Sequence, residues 1–584
     1  MLAYREQAAT LVAPLAGKQP DEILDLLTAP PNPALGDIAL PCFALAKQAG
    51  QNPKDLAARI ADELGAAEPF SRVAAMGPYV NFTVDPARLT GEVIAQARDP
   101  EHAYGQTDEG KGRTVVIDYS APNIAKPLAV HHVRSTLIGA ALVRLYRLLG
   151  YTVEGVNHLG DWGTNFGQLM VSYKRREAQH PGRSVDIHDL LAMYVRFHQQ
   201  AESEDELNEQ AQGWFSRLEQ GDPEAVRLWE MFREESLRSF QKLYDRFGIS
   251  FEHYIGESFY NDKMQATIDR LRDKGLAEES EGALVVKLDE EGMPPCLLRK
   301  RDGSTLYATR DLAAAEYRWQ RWHFHKCLYV VGNQQELHFR QVFRVLEKMG
   351  HDWARRCEHV KFGMLSFGPG VFEDEGAPSG RRVTGSTRRG RIVFLQEVLD
   401  RAVAKARQII LDNAREDDVR ENADALAEWV GVGAVVFGEL AQRRTKDAVF
   451  TWDKALNLQG DSGPYLQYTH ARLCSVLRRF GEDLPSQVDC SPLGTPLEIE
   501  VAKALARWPD HLARAKAENE PSILSDYLLA LAAEFNRFFT DKARHRIIGE
   551  DRALTLARLA LVDAVRRVLA TGLGLLGIHA PEKM

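Results

Sequence analysis

The sequence predicts an α/β protein: a doubly wound parallel sheet, with a small α+β module before it and an all-α half behind it. Two strand–loop–helix units far apart in the chain carry the sheet. Residues 113–150, RTVVIDYSAPNIAKPLAVHHVRSTLIGAALVRLYRLLG, open on a β-branched run, Val115 to Ile117, that reads as a buried strand. A polar turn with Ser120, Pro122 and Asn123 follows. Then Val133, Leu137, Ile138, Ala141, Leu142, Leu145 and Leu148 recur at three- and four-residue steps, the pattern of an amphipathic helix. Residues 328–350, LYVVGNQQELHFRQVFRVLEKMG, repeat the order. The third observation is that beyond about residue 396 the pattern is helical almost throughout, with helix lengths typical of a bundle.

The whole chain bounds the answer. At 584 residues, one core is not enough, and roughly three or four domains are expected at about 150 residues each. Hydrophobic content of 45% and charged content of 27% are ordinary for a soluble globular protein. No apolar run approaches the roughly 18 residues of a membrane span, and the N-terminus has no signal-peptide pattern. Six cysteines, at 42, 296, 327, 357, 474 and 490, form no C-x-x-C pair, so neither a disulfide framework nor a structural zinc is expected, and a reducing cytoplasm fits. The net charge of −9 means that any nucleic-acid partner must be held by local basic surface.

Residues 1–105 read as the small module. LPCFALAKQAGQNPKDLAARIADEL is helical in pattern with a break at Gly50–Pro53, MGPYVNFTVD alternates as a strand, and DPEHAYGQTDEGKGR is a linker. Residues 106–395 hold the sheet, with a charged helical insertion near 185–250. Residues 396–584 form the helical half. Strand, polar loop and helix N-terminus at 113–135 is the arrangement that binds phosphate in open α/β sheets; the alternative is an ordinary turn with solvated histidines.

The loop SAPNIAKPLAVHHVRST resembles the "HIGH" segment of arginyl-tRNA synthetases, which are class I aminoacyl-tRNA synthetases. Ser120, Pro122, Asn123, Lys126, Pro127, Val130, His132, Arg134 and Ser135 match that family's pattern. Ala129 stands where it has the first histidine, and His131 where it has glycine. GDIALPCFALAK and GPYVNFTVD are similar to the family's N-terminal tRNA-binding domain. HLGDWGTNFG (158–167) is similar to another of its stretches, read as scaffold. VTGSTRRGRIVFLQEVLD is similar to its degenerate "KMSKS" loop, with Ser386, Thr387, Arg388 and Gly390 in place and Thr384–Gly385 departing from it. AQRRTKDAVFTWDKALNLQGDSGPYLQYTHARLCSVLRR and the ending GLLGIHAPEKM resemble its helical anticodon-binding domain.

The resemblance implies a Rossmann-like catalytic domain and an arginine–tRNA ligase. Such an enzyme makes arginyl-adenylate from arginine and ATP with Mg2+, then charges tRNA(Arg). It implies roles for residues. Lys126, His131, His132 and Arg388 act on the phosphates; Ala129, Val130, Ser386 and Thr387 help bind ATP. Asn123, Glu257 (in YIGES), Tyr307 and Asp311 (in STLYATRDLAAA) and Gln334 bind arginine. Tyr465, Arg478 and Met584 approach the anticodon. Paired carboxylates suit a guanidinium because they match both its charge and its planar fork of donors. Arginine stripes with interleaved tyrosines (Arg443, Arg444, Lys446; Tyr465, Tyr468; Arg472, Arg478, Arg479) suit a single-stranded RNA loop, or equally a charged bundle surface. A cytoplasmic monomer is expected. The motif departures leave two alternatives: a weakened paralogue that senses arginine or tRNA, and a synthetase with shifted amino-acid choice.

Overall fold

The computed structural model describes residues 1–301, 307–368, 371, 383–384, 393–413 and 417–584. Near the N-terminus, strands β1 (Ile38–Pro41), β2 (Phe70–Met76) and β3 (Tyr79–Val84) form an antiparallel sheet in the order β1-β3-β2. The helix Pro53–Leu64 packs on β2 and β3, whereas Pro86–Ala97 packs against the helices Pro496–Ala506 and Arg552–Leu576 of the C-terminal region. The helical pattern from Leu40 onward divides. Its first residues pair with β3 instead, and the helix begins only at Phe43. It ends at Gly50, whose φ of 64° suits the left-handed conformation, and the next helix starts at Pro53, capped by the Asn52 side chain.

The central sheet holds β4 (Thr114–Asp118), β5 (Thr152–Asn157), β6 (His253–Tyr254), β7 (Lys326–Tyr329) and β8 (Cys357–His359). All pairs are parallel, in the order β8-β7-β4-β5-β6. The chain leaves β4 toward β5 and β6 on one side, and later returns to add β7 and β8 on the other. The topological switch point therefore lies between β4 and β7, and the loops at the carboxyl ends of these strands border one crevice. Four helices, Asn165–Gln179, Ile187–Ala201, Asp205–Glu219 and Pro223–Arg246, lie between β5 and β6. An antiparallel three-stranded meander over 277–299 precedes the helix Tyr307–Trp322.

The helix Val133–Leu148 is apolar on more than one face. It packs on β4 and β5 and also against the helices Ala423–Leu440 and Arg552–Leu576. Arg134, buried at its first turn, donates from Nη1 to the carbonyls of Gly363 (2.9 Å) and Lys446 (2.8 Å), with Nε 3.3 Å from the Glu439 carboxylate. Burial pushes the Glu439 carboxyl up to about 7 against the pull of Arg134. This pair ties the first turn of the 133–148 helix to the helical half.

The C-terminal region is built from helices including Leu395–Asn413, Ala423–Leu440, Gly463–Phe480, Ser522–Thr540 and Arg552–Leu576. It also holds one strand that the helical pattern hides: β10 (Ala448–Phe450) runs parallel to β9 (Leu365–Phe367). Three residues are too few to show alternation. Among the described residues no helix is long and apolar enough to cross a membrane.

Candidate active site

The loop after β4 is strained and heavily tied. Ser120, Ala121 and Ala125 all have positive φ (71°, 46° and 65°), a region that residues with a Cβ avoid. Hydrogen bonds hold it there. The Ser120 N–H donates to Ser135 Oγ at 3.0 Å, and Ser120 Oγ lies 2.8 Å from both Thr136 Oγ1 and Tyr244 OH. The Ala125 N–H donates to Ser236 Oγ at 2.8 Å. Asn123, exposed at the loop's tip, bridges Gly160 in the loop after β5. A Cβ at Gly160 would stand 2.0 Å from Asn123 Oδ1, so only glycine admits this approach.

The helix start is capped from within. The Ala129 N–H donates to His132 Nδ1 at 3.2 Å, and the Val130 N–H donates to the Val393 carbonyl at 3.1 Å. His132 Nδ1 is thereby an acceptor, which puts its proton on Nε2. Burial and then the neighbouring His131 push His132 down to about 3, so the imidazole is a neutral donor. His131 packs its ring 4.0 Å from that of His132 but stays exposed; desolvation lowers its pKa too. Ala129 is only 2% exposed, and it bridges Phe394 just past the Gly/Arg-rich loop. Lys126 places Nζ 4.0 Å from the centroid of the Tyr194 ring on the 187–201 helix. Ser386, Thr387, Arg388 and their neighbours lie outside the described residues.

Across the crevice stand three acids. Asp161 accepts from the Ser258 N–H (2.8 Å) and Ser258 Oγ (2.9 Å), and lies 3.6 Å from Arg233. Asp311 meets His338 Nε2 at 2.6 Å. Glu257 pairs with Arg310 at 3.2 Å, the two side chains only 13% and 12% exposed. Burial drives the Glu257 carboxyl up to about 7; Arg310 opposes this, while Asp161 and Asp311 add to it. Tyr307 and Asp311 share the helix Tyr307–Trp322, Tyr307 with its ring 67% exposed. Gln334 is exposed in the short helical turn after β7. The 120–132 and 158–161 loops, the YIGES turn and the start of the 307–322 helix thus converge at the carboxyl ends of the strands.

Sequence reasoning missed Arg310, His338 and Asp161 as partners of these acids. HLGDWG and YATRD contain two of them, but the pairings span 27 to 97 residues. Gly256 shows how tight the acid cluster is: a Cβ there would lie 2.2–2.4 Å from the Asp161 carboxylate. Gly256→Ala is expected to expel Asp161 at about 1–3 kcal/mol, read as a lower midpoint in denaturant unfolding. Gly91→Ala, with open space around it, should not lower that midpoint.

A family model of the catalytic domain of class I (R) tRNA synthetases matches residues 94–452. Models of the arginyl-tRNA synthetase N-terminal domain and of the DALR anticodon-binding domain match residues 4–84 and 466–584. The curated arginine–tRNA ligase of Alkaliphilus metalliredigens is 44% identical over 96% of each chain. The chain belongs to the arginyl-tRNA synthetases. The arginine–tRNA ligase of Halothermothrix orenii is 42% identical over the full length of both chains. The fold is shared with the solved arginyl-tRNA synthetases of Plasmodium falciparum and Thermus thermophilus. Their TM-scores are 0.80 and 0.79, at 22% and 23% identity, and they cover 96% and 99% of this chain and 94% and 100% of theirs.

The synthetase's helical domain encloses a cavity of about 760 Å³ lined in part by Tyr465, Tyr468, Arg472, Arg479 and Met584. Tyr465 is half-buried, and its OH accepts from Asn536 at 2.7 Å. Tyr468 is exposed with the Arg472 guanidinium 4.7 Å from its ring centroid. Arg478 is exposed and donates to the Glu582 carbonyl at 2.9 Å; with the Lys583–Asp418 ion pair, this fixes the C-terminal tail beside the cavity. Within the first basic stripe, Arg444 donates to the carbonyls of Lys361, Glu518 and Asn519 and so joins the two domains, while Arg443 is exposed and pairs with Glu518.

Proposed function

We propose that the crevice joins arginine to ATP and passes it to a tRNA, as an arginine–tRNA ligase working as a cytoplasmic monomer. The observation that carries this reading is the acid pocket: Glu257 and Asp311, backed by Asp161, facing a loop that ends in Lys126 and two neutral histidines. A guanidinium is the side chain such a pocket suits. In the first step the arginine carboxylate attacks the α-phosphorus of ATP and pyrophosphate leaves. In the second a terminal ribose hydroxyl of the tRNA attacks the activated carbonyl and AMP leaves. The substrate supplies the nucleophile, so the chain's task is to orient the reactants and neutralise developing charge.

In this reading Glu257, Asp311, Tyr307 and Gln334 hold the arginine side chain, and Asn123 its amino-acid end. Lys126, His131 and His132 face the phosphates with Ser386, Thr387 and Arg388. The backbone donors of Ala129 and Val130 are bonded within the protein, so these two residues contribute shape. Magnesium travels with the triphosphate; among the described residues no three His, Cys, Asp or Glu side chains converge to hold a cation. A second reading, a sensor that binds without fast chemistry, is favoured by one feature: the buried methyl of Ala129 where a histidine donor belongs.

Charging of tRNA with labelled arginine, run beside lysine, glutamate and citrulline, tests the reading. Arginine alone should be attached, and citrulline, which lacks the charge, should fail. Charging of another amino acid in its place sinks it. The tRNA contact has its own test. Tyr468→Ala should weaken tRNA binding by about 1–3 kcal/mol, the range for one base–aromatic stack. Binding by the parent should fall as salt rises. Salt-independent binding, or a Tyr468→Ala variant equal to the parent, counts against the cavity as the RNA site.

A further inference from the structure

Arg310 lies in the acid pocket with no role in the proposed chemistry. It sits one residue before Asp311 on the 307–322 helix, so the two side chains leave that helix roughly 100° apart. Its Nη1 is 3.2 Å from Glu257 Oε1, and its Nε is buried with no hydrogen-bond partner. Among the described residues no donor is bonded to Glu257 Oε2. We propose that Arg310 is a positioning residue of the arginine pocket: it keeps the Glu257 carboxylate charged and aimed, and it remains there while the substrate takes the other oxygen. This rests on the reading of Glu257 as a guanidinium partner.

The charges around Glu257 give the reason. Asp161, from the loop after β5, has its own donors in Ser258 and its own cation in Arg233 of the 223–246 helix. Asp311 has His338 of the 336–348 helix. Among the described residues, Glu257 has Arg310 alone. A carboxyl buried beside two other carboxylates takes up a proton when its cation is removed. A neutral acid then presents a proton toward the substrate guanidinium in place of a lone pair. Arg310 therefore acts on arginine binding through Glu257, not by touching arginine. The rival reading is that Arg310 occupies the place of the substrate guanidinium and must be displaced.

The test compares the full-length parent with Arg310→Met, Arg310→Lys and Glu257→Gln. Arginine Kd is measured by calorimetry from pH 6.0 to 8.5, with ATP Kd as the check on an intact fold, and kcat and KM for arginine are measured in tRNA charging. Arg310→Met should raise arginine Kd and KM at least about tenfold at pH 7 with kcat changed less than about threefold. An opposite charge at this range typically moves a carboxyl by about 1–3 pH units. The pH at which arginine binding reaches half its plateau should therefore rise by about one unit or more in Arg310→Met. Arg310→Lys should restore most of the affinity. A loss that is the same at every pH, or that lysine does not rescue, overturns the proposal and leaves Arg310 a packing role. Tighter arginine binding in Arg310→Met also overturns it, in favour of the occupant reading. Parent-like binding by Glu257→Gln instead removes the pocket assignment itself.

Discussion

Glu257→Gln and Asp311→Asn are each expected to lower kcat/KM for arginine at least about thirtyfold, because truncating one partner of a buried charge pair costs about 2–5 kcal/mol. ATP affinity, measured in the same proteins, should stay near the parent value. Glu257 should show the larger effect. It is the more enclosed of the two acids, and Asp311 has His338 as a companion that remains after arginine leaves. The buried Glu257 carboxyl, held near 7, also sets a pH dependence. Only its ionised form pairs with the guanidinium, so arginine affinity should be full above about pH 7 and fall as pH drops below it. Glu257→Gln should abolish that acid limb. A limb that persists in Glu257→Gln, or charging at the parent rate by either variant, means the guanidinium lies elsewhere.

Much of this architecture could be read from the sequence because its cues are local. The β-branched run at 115–117 and the apolar spacing from Val133 name a strand and a helix without reference to the rest of the chain. Glu257, Asp311 and Asn123 could be singled out as candidates because each sits in a short motif whose neighbours match. The contacts that set their charge could not. Arg310 and Glu257 are 53 positions apart, and His338 and Asp311 are 27. Sequence spacing carries no information about pairs formed when two strand–loop–helix units fold onto one sheet edge. The same limit explains the basic residues. Arg444 and Arg134 look alike in a charge count, and both prove to be bonded to backbone carbonyls across a domain boundary. The left-handed backbone at Ser120, Ala121 and Ala125 is invisible for another reason: none is a glycine, and side-chain bonds from distant helices impose the strain.

Lys126→Met is expected to slow adenylate formation by about 10²–10³, the usual loss when one preorganised transition-state group is removed. Among the side chains of the 120–132 loop Lys126 is the one cation, because the two imidazoles at the helix start are both held neutral. Its resting place on the Tyr194 ring is a weak hold, about 0.5–2 kcal/mol for a cation over an aromatic face, so it can be drawn onto the phosphates. His132 offers an Nε2 proton from a fixed ring, since Nδ1 is bonded to the Ala129 N–H. His131 is the exposed member of the pair, at a position where the family has glycine. Because Ala129 is buried and its methyl cannot donate, His131, two positions along and exposed, is the side chain proposed to supply the absent bond. His131→Gly should then lower the rate of adenylate formation, measured by pyrophosphate exchange with tRNA present. His131→Gln, which retains an N–H donor, should lower it less. Since neither imidazole titrates in its ordinary range, these losses should be flat between about pH 7 and 8. A His131→Gly variant faster than the parent would show that the ring obstructs the nucleotide, and the sensor reading would then gain the stronger claim.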